Sequence, residues 1–315
     1  MNAGFRYQER VDRRGAGQRV LDYLAARYRH STRGRWQQHL AAGRVTLDGV
    51  SARGDERLRE RQRLIYFREP WEEPSAPLDF GVLATGPGWV AVDKPSGLPT
   101  LPGGGFLEHT LLHQLRRRHP TASPLHRLGR FTSGVVLCAL DRATAARLTA
   151  LFVERAVYKR YRALACGSPA LDRFEVDLAI GPVPYPPLDT IHAASAEGRP
   201  ALSSVSVVER GPDRFLADVV IATGRPHQIR VHLAAAGHPL VGDPLYRSGG
   251  LPDPQGTAVP GDGGYLLHAA ELRFEGLRIQ APLPRQLLPA ALRSERGQGH
   301  PSGAETPLAT VTESA

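Results

Sequence analysis

GRPHQIRVHLAAAGHPLVGDPLY, residues 224–246, is the stretch whose reading decides the fold. It begins extended around Pro226 and turns helical toward Gly237, a residue suited to ending a helix. His227, Gln228 and His232 read as hydrogen-bonding side chains that hold loops. Arg230, taken alone, is an ordinary salt-bridge residue. Asp243, in GDPLY, reads as the cap or brace of a turn.

Upstream lies HRLGRFTSGVVLCAL (126–140), with Arg127 and Arg130 three apart, a Thr-Ser-Gly turn and an apolar run that reads as a strand. DRATAARLTALFVER (141–155) places Ala145, Leu148, Leu151 and Phe152 on one side of a helix. GWVAVDKPSG (88–97) is a strand ending in a Pro-Gly loop, and YKRYRALACG (158–167) and RFLADVVIAT (214–223) are strand-like. Strands outnumber helices and show no regular βαβ rhythm. The spacing therefore predicts an α+β fold with a mixed, mainly antiparallel sheet and flanking helices. PSGLPTLPGGG (95–105) lacks the lysine and hydroxyl of a phosphate-binding loop and reads as a mobile loop.

The charge is uneven. Of the net +9, residues 1–69 carry 16 arginines against 8 acids, while the rest of the chain is nearly neutral. A basic module on a neutral body points to a polyanion handled by that module. Residues 1–17 read as a polar lead. Val20, Leu21, Leu24 and Tyr28 follow at helical spacing, and Ser31 is the expected cap of a second helix carrying Trp36 and Leu40. Gly43 can close that helix, and VTLDG reads as a strand running into a turn. PWEEPSAP marks a linker at 70–78, the larger domain spans 79–293, and a polar tail over 294–315 is expected to be disordered.

No run of 18 apolar residues exists and the N-terminus lacks the apolar segment of a signal peptide, so a cytoplasmic protein without a membrane span is expected. Cys138 and Cys166 lie in apolar runs and read as buried thiols, and the 12 histidines show no ligand-like cluster, so no metal is expected.

Four segments in this order, VAVDKPSGLPTLP, HRLGRFTSGVVLCAL, FVERAVYKRYRALACG and GRPHQIRVHL through LLHAAELRF, resemble the RluA-type RNA pseudouridine synthases over residues 80–280. The basic front resembles an S-four type RNA-binding domain, over 18–69. The resemblance implies isomerisation of uridine to pseudouridine in ribosomal or transfer RNA by a monomer, with no cofactor. It implies a catalytic tyrosine at Tyr161 and a basic partner at Arg230. The family's catalytic aspartate, in an HRLD motif, falls on Gly129. It also implies substrate contacts from Lys94, His126, Arg127, Arg130, Thr132, His227 and Gln228, and RNA phosphate contacts from Arg27, Arg29, Arg33, Arg35 and Arg44.

With Gly129 the sequence leaves two readings open: an active enzyme with its carboxylate supplied from elsewhere, Asp243 or Asp141 being the candidates, or an RNA-binding relative without catalysis. Asp141 is disfavoured, because an extended segment of a dozen residues spans on the order of 30 Å. Either way, Arg127 and Arg230 are expected to lack their counter-charge, and the emptied pocket to accept an anion.

Overall fold

The computed structural model describes residues 1–28 and 31–291. Arg29 and the 294–315 tail lie outside the described residues. The chain divides into two compact units, Met1–Glu73 and the remainder from Pro74.

In the first unit, β1 (Phe5–Arg10), α1 (Val20–Arg27), α2 (Arg33–Ala41), β2 (Val45–Leu47), β3 (Val50–Ser51) and β4 (Arg63–Arg68) follow in order. The strands pair as β1-β4-β2-β3, and Val20, Leu24, Trp36, Leu40 and Val45 form the core beneath the two helices. The stretch read as a polar lead contains β1, which pairs antiparallel with β4 throughout its length. FRYQER lies at the sheet edge with little buried, so it has no apolar run to announce a strand. Thr32, rather than Ser31, caps α2, its hydroxyl accepting from the Arg35 amide at 3.3 Å.

The second unit holds β5 (Gly81–Gly86), β6 (Trp89–Lys94), α3 (Leu111–Arg116), β7 (Ser123–Pro124), β8 (Ser133–Ala139), α4 (Arg142–Val153) and β9 (Tyr158–Cys166). It continues with β10 (Arg173–Asp177), β11 (Ile180–Tyr185), β12 (Asp189–Ala194), β13 (Leu202–Arg210), β14 (Arg214–Ile221), α5 (Gln228–Ala235), β15 (Leu267–Phe274) and β16 (Leu277–Gln280). The main sheet runs β10-β13-β14-β9-β15-β8-β6-β5, with β7 on β8 and β16 on β15. The fold is α+β. Every pairing is antiparallel except β8 with β15.

That parallel contact explains the Thr-Ser-Gly turn. A Cβ on Gly134 would stand 2.2 Å from the Ala269 carbonyl oxygen, and its φ of +105° is one that glycine tolerates. Only glycine lets β8 approach β15 this closely, and β15 pairs in turn with β9 at Tyr161. α5 packs seven of its eight residues inward, because one side meets the sheet and the other meets β11, β12 and the 240–246 turn. Asp141 caps α4 by accepting from the Thr144 amide at 2.8 Å, at the far end of β8 from the 126–132 loop, which removes it as a substitute acid. Cys138 is buried and Cys166 only half-buried.

Candidate active site

The loop between β7 and β8 is clamped from within. The Leu128 carbonyl accepts from the Thr100 hydroxyl at 3.0 Å, and the Leu128 amide lies 3.2 Å from the same hydroxyl. The Thr132 amide donates to the Gly129 carbonyl at 3.1 Å, closing a turn over 129–132. Leu128 points into the core, while Arg127 and Gly129 remain exposed.

Lys94 completes the clamp and is not a substrate contact. The side chain is 0% exposed and its ammonium donates to the carbonyls of Pro95, Leu98 and Arg130 at 2.9, 2.7 and 3.0 Å. Burial pushes its pKa down to about 7, with Asp93 opposing. A lysine with three internal acceptors has no hydrogen left for a phosphate. The same bonds pin the first half of 95–105, which the sequence suggests is mobile.

His126 and Gln228 are also structural. His126 Nε2 accepts from the Leu137 amide at 3.0 Å and its ring stacks on Phe152, burial holding its pKa down near 4. Gln228 uses both ends of its amide, accepting from the Thr223 hydroxyl and the Arg225 amide and donating to the Leu202 carbonyl and the Ser203 hydroxyl. Thr132 is buried with its hydroxyl 3.5 Å from that of Tyr265, so it braces the turn rather than meeting substrate.

His227 caps α5 in a left-handed conformation, φ +57°. Its Nδ1 lies 2.5 Å from the Tyr246 hydroxyl, which donates to the His192 carbonyl at 2.6 Å. The phenol has one proton and spends it on that carbonyl, so Nδ1–H is the donor to Tyr246. Burial, then Arg230, lowers the His227 pKa to about 3 and keeps the ring neutral.

Arg230 is the centre of the arrangement. It is not stripped of counter-charge, as the sequence suggests, but forms a bidentate pair with Asp243, Nε and Nη2 each 2.7 Å from a carboxylate oxygen. The side chains are 3% and 1% exposed. Burial works against the Arg230 charge, but the Asp243 bonds outweigh it and hold the pKa above its ordinary value. Asp243 Oδ1 also accepts from the amides of Leu245 and Tyr246 at 2.9 and 3.2 Å, bracing the GDPLY turn. The guanidinium carbon sits 4.2 Å from the Tyr265 ring centre and 5.1 Å from that of Tyr246.

One donor is left over. Arg230 Nη1 is buried without a hydrogen-bond partner among the described residues. The same Tyr265 meets the loop: a Cβ built on Gly129 would stand 2.9 Å from the tyrosine hydroxyl. Tyr265 thus bridges the guanidinium and the position where a side chain at 129 would begin. The sequence reading missed Tyr265, which follows the glycine-rich run GDGG and offers no periodic signal.

Tyr161 comes from β9, in register with Val219 and Ala269, and joins one apolar cluster with Leu128, Ile229, Tyr265 and Leu267. Loop, strand and helix therefore converge as expected. Burial pushes the Tyr161 phenol up to about 12, so at neutral pH it is a proton-bearing aromatic surface rather than a base. Arg130 packs over Phe106 and Phe131 at 4.6 and 4.9 Å and donates from Nε to the Gly97 carbonyl at 3.1 Å. Arg127 makes no hydrogen bond or ion pair among the described residues, which leaves its guanidinium available at the rim.

Of the arginines in the first unit, Arg27 pairs with Glu9 at 3.2 Å, Arg33 with Asp22 at 2.6 Å and Arg44 with Glu69. Arg35 has no such partner among the described residues.

A fold of this topology, with a clamped loop, a strand tyrosine and a buried arginine converging, defines a class. The family pattern described as RNA pseudouridylate synthase matches residues 88–235. An uncharacterised RNA pseudouridine synthase of Synechocystis sp. is 44% identical over 279 residues, covering 85% of this chain and 95% of the relative. The ribosomal large subunit pseudouridine synthase D of Xanthomonas campestris is 32% identical over 304 residues, covering 89% and 90%. The solved structure of human RNA pseudouridylate synthase domain containing 1 aligns with a TM-score of 0.54 and 26% identity, covering 73% of this chain and all of that one. The chain belongs to the RNA pseudouridine synthase family, whose members are isomerases acting on RNA.

Proposed function

We propose that this chain converts uridine to pseudouridine in ribosomal or transfer RNA, as a cytoplasmic monomer without a cofactor. The observation that carries this reading is the packing of Tyr161, Ile229 and Tyr265 in one cluster, with Tyr265 against the Arg230–Asp243 pair and Gly129 of the 126–132 loop. No helix among the described residues is long and apolar enough to cross a membrane.

The reaction breaks the bond from ribose C1′ to uracil N1, turns the base and rejoins C1′ to C5. The proton on C5 is lost and N1 regains one, so atoms and charge balance. The target uridine has to leave its stack, and Tyr161, packed against the apolar cluster of Leu128 and Ile229, is the aromatic side chain assigned here to meet the flipped base. Arg127, exposed at the rim, takes a flanking phosphate. The S-four-like reading of the first unit adds sequence-blind phosphate contacts, for which Arg35, unlike Arg27, Arg33 and Arg44, has no ion-pair partner among the described residues.

The carboxylate in this reading is Asp243. It is the carboxylate paired with Arg230, and the spare Nη1 lets the guanidinium keep a hydrogen bond to an anionic group as the pair rearranges. One observation favours a second reading: Gly129 puts no acid on the loop, so the pocket receives RNA without turning it over. Digestion to nucleosides and chromatography of ribosomal and transfer RNA, each incubated with the chain, separates these. New pseudouridine in either pool supports the isomerase and names the RNA class. RNA binding with none formed in both supports the binder.

A further inference from the structure

The first unit has a groove that phosphate contacts alone do not explain. A cavity of about 620 Å³ lies between β1, the start of α2 and the 68–71 segment, wholly within Met1–Glu73. Its aromatic floor is layered. Trp36 packs edge-on to Tyr66 at 5.0 Å, and Tyr7 stacks on Tyr66 at 5.9 Å with the rings 13° from parallel. Trp36 and Tyr66 are buried and belong to the core, but Tyr7 is 46% exposed and Phe5, against its edge, 40%. Core packing accounts for the lower layer and leaves the upper one facing water.

Cations ring this surface. Arg68 lies flat over Trp71 with its guanidinium carbon 3.5 Å from the ring centre. Arg35 lines the groove with no ion pair among the described residues, while the acids in the lining, Glu9 and Glu69, are engaged by Arg27 and Arg44. The tautomer of His39 follows from its neighbours. Arg44 Nη1 donates to Nδ1 at 3.2 Å, so Nε2 carries the proton and donates to the Tyr66 hydroxyl at 3.1 Å.

We propose that this groove holds an unpaired RNA nucleotide, its base stacked on Tyr7 and its flanking phosphates on Arg35 and Arg68. A stacking face and a rim of arginines is the chemistry of single-stranded RNA recognition, and a base in a duplex does not offer its face. The excess of arginine over acid in residues 1–69 complements a polyanion and argues against an acid-neutral protein segment as occupant. The inference rests on RNA as the substrate and adds where, outside the reacting pocket, an unpaired position of that RNA is held.

The test is fluorescence anisotropy of the full chain with a labelled eight-nucleotide oligouridylate and with a duplex of equal length. The single strand is expected to bind more tightly. Tyr7→Ala should weaken that binding about ten-fold, whereas Tyr7→Phe, which keeps the stacking face, should stay within about two-fold. Arg35→Ala should lower the slope of log affinity against log salt by about 0.7. Absence of single-strand binding, a preference for the duplex, or unchanged affinity in Tyr7→Ala each overturns the inference. Pseudouridine formation by the same preparations reads the activity separately: retained activity beside failed binding sinks only the groove, and lost activity beside intact binding sinks only the isomerase.

Discussion

Two buried ion networks in the second unit look alike and differ by one hydrogen bond. At the β15 network, Glu271 is fully buried and accepts from Arg160 at 2.8 Å, Arg278 at 3.0 Å, Gln280 at 2.9 Å and Arg273. Burial would raise its pKa, but the arginines hold it down at about 2. Arg160 spends its other end on Asp218, which also takes Arg162. At the pocket, Arg230 is equally buried but has one carboxylate, and its Nη1 goes unanswered. A network that closes on itself holds strands together. One that ends on an open donor leaves a hydrogen bond to be made, here by Arg230 Nη1, with Tyr265 between the guanidinium and Gly129.

The contrast can be broken by removing each network's carboxylate. Asp243→Ala strands Arg230 in the interior with no other acid, and should cost ~3–5 kcal/mol in urea unfolding. Glu271→Ala should cost less, ~1–3 kcal/mol, because Arg273 and Arg278 are half-exposed and return to water while Arg160 keeps Asp218. Equal losses would mean that the open donor does not set the pocket apart.

Acid sharpens it next. His126 and His227 are held neutral, with pKa values near 4 and 3. An unfolded histidine takes up its proton near pH 6.5, so as pH falls from 6.5 toward 4 the unfolded chain binds more protons and folding weakens. The loss should be about 2–3 kcal/mol for each ring, read as the urea midpoint at pH 7.5 against pH 4.5, above the range where the carboxylates of Glu271 and its like give way. A midpoint unchanged over this interval would contradict the burial assigned to the two rings.

The smallest effect belongs to the rim. Arg127→Ala touches no internal partner and should change stability by less than ~0.5 kcal/mol. It should weaken RNA binding about equally across sequences and reduce the salt slope by about one. A stability loss above ~1 kcal/mol would show that Arg127 is structural instead.

How much of this was legible follows from where each signal is carried. The 224–246 and 126–140 motifs hold their information in contiguous residues, so α5, β8, the family and the places of Tyr161, Arg230 and the Asp243 turn could be read directly. β1 could not, because an exposed edge strand such as FRYQER has no apolar run. Lys94 looked like a phosphate ligand because its acceptors are backbone carbonyls at 95, 98 and 130, which no side-chain pattern reports. Tyr265 lies 35 residues beyond Arg230 in sequence, and only the pairing of the adjoining β15 with β8 and β9 brings it over the guanidinium. The Asp243 pairing of Arg230 was hidden for a related reason: the acid was visible, its partner was not.

The most direct measurement is tritium release from carbon-5-labelled uridine in bulk ribosomal and transfer RNA, with the unaltered chain and Gly129→Asp side by side. The added side chain begins 2.9 Å from the Tyr265 hydroxyl, which has to give way to admit it. Release by the unaltered chain, abolished by Asp243→Asn, is the result expected of an isomerase that works without an acid at 129. Release by Gly129→Asp alone would contradict it and leave the natural chain as an RNA binder on a synthase scaffold.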